Sequence, residues 1–302
     1  MNPLLIALAA PMLWAASNHI DKHMLAHELD HCDAGTLLLF SSLVGLIAAP
    51  IILVFHPDVL HILPGHAVLV IGNGVLYVAG LLPYFYALKE DDASAVVPLF
   101  QTTVVFSYAL GAVVLGEIPN LLEIGASVLI LVGSIALCID FSGRARIRVK
   151  SLVLMLIASF LNALNFLLFK LVATTEDFWV TSFWEYIGFG LFGLVTWCCV
   201  GKFRRQFVQV LGKRSRVIGW SVLNEALGIG AKTATNLASM AVPIGMVSTI
   251  SGLQPFFVLL FGVGLTALSP KSRGERPERS ALAHKLSAIS LMFVGTCIIA
   301  VQ

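Results

Sequence analysis

The stretch SLVLMLIASFLNALNFLLFKLVA, residues 151–173, contains a single charged residue, Lys170. A helix needs about 20 predominantly apolar residues to cross the hydrocarbon core of a bilayer, so this stretch is long enough to span it. A membrane barrel would need alternating strands of about ten residues, and this continuous apolar run does not alternate. The stretch therefore predicts a transmembrane helix.

Runs of the same kind recur along the whole chain, which is 58% hydrophobic, 12% charged and has a mean hydropathy of +0.91. The charged fraction is about half that of an ordinary soluble domain. The net charge of +2 is too small to indicate a nucleic-acid partner. We predict an all-α integral membrane protein with ten transmembrane helices, at residues 3–24, 35–55, 66–88, 93–115, 121–140, 151–173, 179–200, 217–238, 243–267 and 284–301.

The basic residues predict how these helices are oriented. When each connection is numbered by the helix that it follows, all of the 19 Lys and Arg residues except Lys170 and Lys232 lie in or beside odd-numbered connections. Basic connections generally remain in the cytoplasm, so we expect the odd-numbered connections inside the cell and both termini outside it. The expected location is a bacterial inner (plasma) membrane.

The ten predicted helices divide into two sets of five, residues 1–143 and 144–302, within one membrane domain. Because five is odd, the two sets have opposite orientations, which is the geometry of an inverted repeat. Weak internal similarity agrees with this arrangement, since Asn73 falls opposite Asn224 and Gln101 falls close to the position opposite Gln254. Inverted repeats are a recurrent plan of secondary transporters.

Four short motifs carry a resemblance to a known family. They are Trp14 with Asn18 and Lys22 in the first helix, Tyr86-Ala87-Leu88 ending the third, Val114-Leu115-Gly116-Glu117 ending the fourth, and Gly252-Leu253-Gln254-Pro255 in the ninth. Together with the ten-helix layout, they resemble the drug/metabolite transporter superfamily, EamA type, over nearly the whole chain. The resemblance implies export or exchange of small metabolites. Members of that family commonly have cytoplasmic termini, whereas the charge count here predicts the reverse.

Ionisable side chains within membrane helices cost about 2.5–3.5 kcal/mol each on insertion scales, so each one marks a candidate site. Glu225 is expected near the membrane midplane in the eighth helix, and Lys232 follows on the same helix face. Glu185 in the seventh helix lies at the same depth as Lys232, so we predict that these two residues pair. The pair could take part in transport or merely order the bundle.

Polar and aromatic residues at helical spacing predict inward-facing surfaces in several helices. One such stripe comprises Trp14, Ser17, Asn18 and Asp21. Any single member could simply bond a neighbouring helix, but stripes in both halves favour a shared polar cavity for a solute the size of an amino acid or amine. The predicted substrate-binding residues are Trp14, Asn18, Asn73, Tyr77, Tyr84, Gln101, Asn162, Asn165, Trp184, Glu185, Asn224, Glu225, Lys232 and Gln254.

Two further patterns concern the backbone and the histidines. Pro98 and Pro255 interrupt corresponding helices and could free carbonyl groups along a substrate path.

The histidines at positions 19, 23, 27 and 31 keep a spacing of four residues, but we expect the first helix to end near residue 25. The last two histidines would then leave the common face, so no metal site is predicted.

The favoured function is a secondary transporter that moves a small metabolite by alternating access, as an exporter or exchanger. Glu225 or Glu185 could couple transport to protons. A flippase for lipids or lipid-linked substrates is the alternative, and a membrane-embedded enzyme is less favoured because HExxH, GxSxG and aspartate-rich motifs do not occur. The expected partners are a small solute, coupling protons and membrane lipids, and the chain is expected to be a monomer or homodimer without a cofactor.

Overall fold

The structure is a computed structural model that describes residues 3–29, 31–91, 93–138, 149–213, 215–268, 287–288, 290–295 and 297–298. These residues are helical apart from short connections, and no strand occurs among them. The α-helices are α1 (Pro3–His23), α2 (Ala34–Phe55), α3 (Pro64–Glu90), α4 (Ala93–Val96), α5 (Thr102–Leu110), α6 (Leu121–Cys138), α7 (Val149–Ala173), α8 (Phe178–Cys199), α9 (Gly201–Lys213), α10 (Ser215–Ala241), α11 (Ile244–Ser251) and α12 (Gln254–Leu268). Residues 287–288, 290–295 and 297–298 are also helical.

Each of the ten predicted apolar runs coincides with helix where the structure describes it. Among the described residues, six spans are long and apolar enough to cross a membrane: Ala34–Phe55, Pro64–Glu90, Val97–Leu115, Val149–Ala173, Phe178–Cys199 and Ile244–Leu265. The α1 and α10 helices, which carry Asp21, Glu225 and Lys232, are not among the six. The predicted boundary between the halves and most basic residues of connections five and nine fall at 139–148 and 269–286, outside the described residues.

Two of the predicted segments are interrupted helices, as their prolines suggest. In the fourth segment, a 3-10 turn at Val97–Gln101 contains Pro98 and separates α4 from α5. In the ninth segment, residues 252–253 form a turn between α11 and α12, just before Pro255. Proline has no N–H group to donate and clashes with the preceding helical turn, so a proline tends to break a helix or to begin a new one.

Two π-helical turns extend helices beyond their regular parts. Met24–Glu28 continues the first helix, so the expected end near residue 25 is wrong, and the rings of His23 and His27 lie 5.2 Å apart. Gly111–Leu115 ends the fourth segment, and Gly116 follows it with a φ angle of 69°. This left-handed conformation favours glycine, which has no Cβ atom to clash.

The most extensive contacts join helices before residue 139 to helices after residue 148. The α1 helix packs against α10 and α12, α2 against α8, α3 against α7 and α8, and α5 against α7 and α11. The main buried cluster draws its residues from both groups of helices. We call the helices before residue 139 the first half and those after residue 148 the second half. Much of the interior of the molecule therefore lies at the interface between the two halves.

Odd-numbered connections contact one another at one end of the bundle, and even-numbered connections do so at the other end, as expected for antiparallel helices. Connection one meets connection seven through an ion pair of 2.6 Å between Asp33 and Lys202. At the even-numbered connections, Lys170 bonds Glu117 and also donates to the carbonyl of Val242 at 2.9 Å. We call these two ends of the bundle the odd face and the even face.

Glycines allow α3 and α8 to approach at backbone distance. A Cβ atom built on Gly188 would lie 2.2 Å from the carbonyl oxygen of Ile71, and one built on Gly74 would lie 2.1 Å from that of Glu185. Both distances are far below van der Waals contact, so no larger residue fits without separating the helices. This close approach places Glu185 beside Asn73 in the bundle interior.

The α9 helix lies on the odd face, in a stretch that was predicted only as a basic connection. It is amphipathic, with Phe203, Phe207 and Val210 turned inward and Arg204 and Arg205 exposed. The ring centroid of Phe207 lies 4.5 Å from that of Phe40 on α2. A helix with one apolar and one basic face is suited to the boundary between headgroups and acyl chains.

Asp33 links α9 to the rest of the odd face. It caps α2 by accepting a hydrogen bond from Gly35 N at 3.1 Å, and it also accepts from Tyr86 at 2.6 Å and from Lys202 at 2.6 Å. Partial burial alone would raise the pKa of Asp33, but these hydrogen bonds outweigh it and lower the pKa below its usual value. The charged form is therefore the one that stabilises the fold.

A test of the α3–α8 contact is the substitution Gly188→Ala. We expect it to lower the free energy of unfolding by about 1–3 kcal/mol, because the added methyl group forces two closely packed helices apart. Thermal unfolding of the purified protein measures the loss. Gly72→Ala is the matched control, because a Cβ atom on Gly72 meets nothing within 4 Å. Equal midpoints for Gly188→Ala and the unchanged protein would contradict the close contact.

A test of Asp33 is the pH dependence of stability in Asp33→Asn, which keeps a helix-capping side chain but removes the charge. Because the pKa is lowered on folding, the contribution of the charge is fully present at pH 7, and it declines once the pH falls below about 4, the pKa of an unfolded aspartate. Asp33→Asn should be less stable than the unchanged protein at pH 7, and the difference should vanish in acid. Asp177→Asn, at the cap of α8, serves as control. A difference that does not change with pH would refute this account.

Candidate functional site

Two networks of buried polar residues cross the interface between the halves. The first, the Asp21 network, comprises Ser17, Asn18 and Asp21 on α1, Tyr84 on α3, Asn224 on α10 and Gln254 on α12. The second, the Lys232 network, comprises Asn73 on α3, Asn165 on α7, Glu185 on α8 and Lys232 on α10. Each network therefore joins four helices.

Asp21 is the terminal acceptor of its network. Its Oδ1 accepts from Asn224 Nδ2 at 2.8 Å, and its Oδ2 accepts from the Tyr84 hydroxyl at 3.2 Å. Behind these donors, Asn18 donates to the Tyr84 oxygen at 2.9 Å, and Gln254 donates to Asn18 Oδ1 at 2.8 Å. These donors form a series of hydrogen bonds that ends at the carboxylate of Asp21.

The Lys232 network contains the pair that the sequence predicts. Lys232 Nζ lies 3.1 Å from Glu185 Oε1, with side chains 3% and 1% exposed, so the predicted pairing is confirmed. The same oxygen of Glu185 accepts from Asn73 at 3.0 Å and from Asn165 at 2.9 Å. The ring of Tyr77 lies below Lys232, with 4.1 Å between Nζ and the ring centroid. The charges of Glu185 and Lys232 are thus satisfied within the protein.

Glu225 stands between the two networks, on the same helix as Asn224 and Lys232. Its Oε1 accepts a hydrogen bond of 2.7 Å from Ser41 on α2. Among the residues that the structure describes, no basic side chain forms an ion pair with Glu225 or with Asp21. These are the carboxyl groups that remain open to an incoming cation or proton.

Two cavities lie beside these networks. The Glu225 cavity has Ser17, Ser41, Asn224, Glu225 and Lys232 among its polar lining residues. The polar residues that line the Gln101 cavity include Asn18, Tyr84, Gln101, Thr103, Asn162, Ser248 and Gln254. Trp14, Asp21, Tyr77 and Leu81 line both cavities, so the two spaces adjoin along one wall. The lining comes from both halves of the chain.

The structure brings most of the predicted site residues to these cavities. Those that line at least one cavity are Trp14, Asn18, Tyr77, Tyr84, Gln101, Asn162, Asn224, Glu225, Lys232 and Gln254. Asn73, Asn165 and Glu185 lie behind the cavity wall, where they hold Lys232. Trp184 lies in neither place, since its indole N–H donates to the carbonyl of Val59 at 2.9 Å near connection two.

Sequence reasoning left several lining residues out of the predicted site. Asp21 stands in the predicted polar stripe, and its charge within the first helix was the signal that could have added it. Ser41 and Thr103 carry no such signal, because single hydroxyl groups are common in membrane helices. Their place at the cavities depends on which way their helices face.

A partly buried ion pair lies at the even face of the bundle. Glu117 and Lys170 are paired, with side chains 16% and 12% exposed. Glu117 Oε2 also accepts from Ile244 N at 3.0 Å, where α11 begins. Glu117 ends one of the motifs that carry the family resemblance. It ties the end of the fourth segment to α7 and α11.

The lining of the two cavities is suited to binding a small molecule. The described part of the chain shows no group of three or more His, Cys, Asp or Glu side chains that could hold a metal ion. Its cavities combine carboxylate, amide and hydroxyl groups with the aromatic ring of Trp14. A few convergent polar groups in a mostly apolar cavity are typical of small-molecule sites.

Comparisons with known proteins agree with this geometry. Residues 1–139 match the sequence model of the EamA-like transporter family. A solved structure, described only as the crystal structure of a protein, is 17% identical and aligns with a TM-score of 0.61 over 98% of this chain and 95% of its own. The two chains therefore share a fold over nearly their whole lengths. No curated protein matches the sequence.

A double-substitution experiment tests how the Lys232 network contributes to stability. We expect Lys232→Met alone to lower the free energy of unfolding by about 3–5 kcal/mol, because it leaves the buried charge of Glu185 without an opposite charge. Adding Glu185→Gln should recover most of that loss, since the amide oxygen can still accept from Asn73 and Asn165. Thermal unfolding measures both changes. Lys150→Met, at a pair in which the lysine side chain is 66% exposed, is the control and should cost about 0–1 kcal/mol. A double variant no more stable than Lys232→Met would contradict the assignment.

Proposed function

We propose that this chain is an integral membrane protein of the EamA-like transporter family, in the drug/metabolite transporter superfamily, and a secondary carrier of small solutes. Support comes from the match of residues 1–139 to that family's model and from the six described spans that are long and apolar enough to cross a membrane. The solute binds in the adjoining Glu225 and Gln101 cavities. The observation that carries this proposal is that helices from both halves supply the polar lining of each cavity. A site at the interface of two halves is exposed to either side when the halves rock.

The contacts between helices support ten membrane helices in two inverted repeats. In such a repeat α1 corresponds to α7, α2 to α8, α3 to α10, and α4 with α5 to α11 with α12. Exchanging the halves then converts the contact of α1 with α10 into that of α7 with α3, and the contact of α5 with α7 into that of α12 with α1. The contact of α2 with α8 maps onto itself, and that of α5 with α11 maps onto that of α12 with α4. This agreement favours the division into halves near residue 143.

Two asparagines at corresponding positions of the two halves form hydrogen bonds that agree with the inverted repeat. Asn73, on the third helix of the first half, donates to the carbonyl of Asn165 on the first helix of the second half at 3.2 Å. Asn224, on the third helix of the second half, donates to Asp21 on the first helix of the first half. The sequence alignment pairs these two asparagines, and each donates to the first helix of the other half.

Alternating access requires a closure on each side of the solute. On the odd face, the Asp21 network links α1 and α3 to α10 and α12. On the even face, Glu117 links the fourth segment to α7 and α11. Opening one closure while the other stays intact would expose the cavities to one side at a time.

The odd face is the cytoplasmic one in this proposal, with both termini outside and the chain in a bacterial inner membrane. Support comes from α9, whose exposed basic residues on the odd face suit the anionic headgroups of a cytoplasmic leaflet. Transport as an exporter or exchanger, by a monomer or a homodimer, completes the proposal.

Transport by the purified protein in lipid vesicles tests the function directly. We screen a broad set of labelled metabolites with and without a pH gradient, and empty vesicles give the background. Saturable uptake of at least one soluble metabolite is the expected result. If no metabolite moves but a labelled lipid crosses between leaflets, the chain is a flippase and the carrier proposal is wrong.

Glu225→Gln tests proton coupling. The amide can still accept the hydrogen bond from Ser41 but cannot take up and release a proton, so uptake should no longer respond to a pH gradient. Exchange of labelled for unlabelled solute at equal pH should continue. Glu176→Gln, in connection six and away from both cavities, is the control. A response to the pH gradient that persists in Glu225→Gln would remove this carboxyl from the coupling role.

A further inference from the structure

The Gln101 cavity is lined by polar side chains that have no hydrogen-bond partner among the described residues. The hydroxyl oxygen of Thr103 is buried there without such a bond, and the residue is 6% exposed. The side chains of Gln101 and Asn162 line the same cavity and form no hydrogen bond with any other described residue. Leaving a buried polar atom without a hydrogen bond is unfavourable, so Thr103 favours a ligand that bonds it, and Gln101 and Asn162 are available to the same ligand.

The charges at the cavities are unequal. Asp21 and Glu225 accept hydrogen bonds only from neutral donors among the described residues. Lys232, the basic residue of the lining, is occupied by Glu185 at 3.1 Å and by Asn165 at 2.8 Å. When Asp21 and Glu225 are ionised, their charge at the shared wall has no basic partner, and a bound cation would favour that ionised form.

The same balance disfavours a carboxylate on the solute. An amino acid would bring a negative charge close to Asp21 and Glu225, while Lys232 is already paired with Glu185 at 3.1 Å. Repulsion between like charges is strong in a mostly apolar site. A solute that carries an ammonium group alone does not incur this cost.

We propose that the substrates are small amines without a carboxylate, which bind with the ammonium group on Asp21 and a polar group on Thr103 and Gln101. Trp14 lines both cavities and offers an aromatic surface to the cation. The Tyr77 ring already has partners, since its centroid lies 5.0 Å from that of the stacked Phe189 ring and 4.1 Å from Lys232 Nζ. This inference rests on the proposed carrier function and names its substrate class.

Pairs of an amine and its parent amino acid test the class. The probes are phenethylamine with phenylalanine, tyramine with tyrosine, and cadaverine with lysine, each measured as an inhibitor of vesicle uptake and by thermal shift. At least one amine should bind about tenfold more tightly than its amino acid, since a carboxylate near two acidic groups is repelled. Equal or tighter binding of the amino acids, or no response to any amine, overturns the inference.

Two substitutions locate the binding groups. Asp21→Asn should weaken amine binding about tenfold or more, because it removes a charge-assisted hydrogen bond, whereas Asp177→Asn should leave binding unchanged. Thr103→Val should abolish any preference for tyramine over phenethylamine, which differ only by a hydroxyl group, and Thr174→Val is its control. Amine binding that survives Asp21→Asn refutes the anchor. If Asp21→Asn fails to fold, an unchanged tyramine preference in Thr103→Val is sufficient to refute the site.

The two proposals fail in different ways. If the vesicle screen finds uptake of neutral or anionic solutes but not of amines, the carrier function stands and the amine class is wrong. If no solute of any charge is taken up, the carrier function itself is wrong.

Discussion

A charged group inside a membrane bundle must be satisfied by the protein, because the surrounding hydrocarbon offers no hydrogen bonds. Glu185 meets this requirement with donors from three other helices, and Asp21 meets it with donors from two. Since some of these donors lie in the opposite half of the chain, neither half can satisfy its carboxylate alone. The polar interior is therefore what holds the two halves in register.

Small residues make this arrangement possible. Gly74 and Gly188 bring α3 and α8 to backbone contact, and only at that distance can Asn73 reach the carboxylate of Glu185. Glu185 in turn fixes Lys232, which lies above the ring of Tyr77 at the cavity wall. The shape of the Glu225 cavity thus depends on glycines that do not line it.

The sequence predicted those features that depend on distance along a helix. The ten apolar runs follow from helix length, and the pair of Glu185 and Lys232 follows from equal depth in antiparallel helices. Features that depend on which helices face each other were not accessible in this way. The convergence of donors on Asp21 and the unpaired hydroxyl of Thr103 are of that kind. The α9 helix was missed for another reason, because its basic residues mask a short amphipathic repeat.

The same interactions define what a substrate must supply. In the proposed carrier, opening the odd face would separate Asn224, in the second half, from Asp21, in the first, and the carboxylate would then lose a donor in a poorly hydrated site. A ligand shifts such an equilibrium only by the difference between its affinities for the two states. A solute that donates to Asp21 as well as Asn224 does would remove the cost of opening, and one that lacks a donor would not. In this proposal Asp21 connects recognition of the solute to movement of the halves.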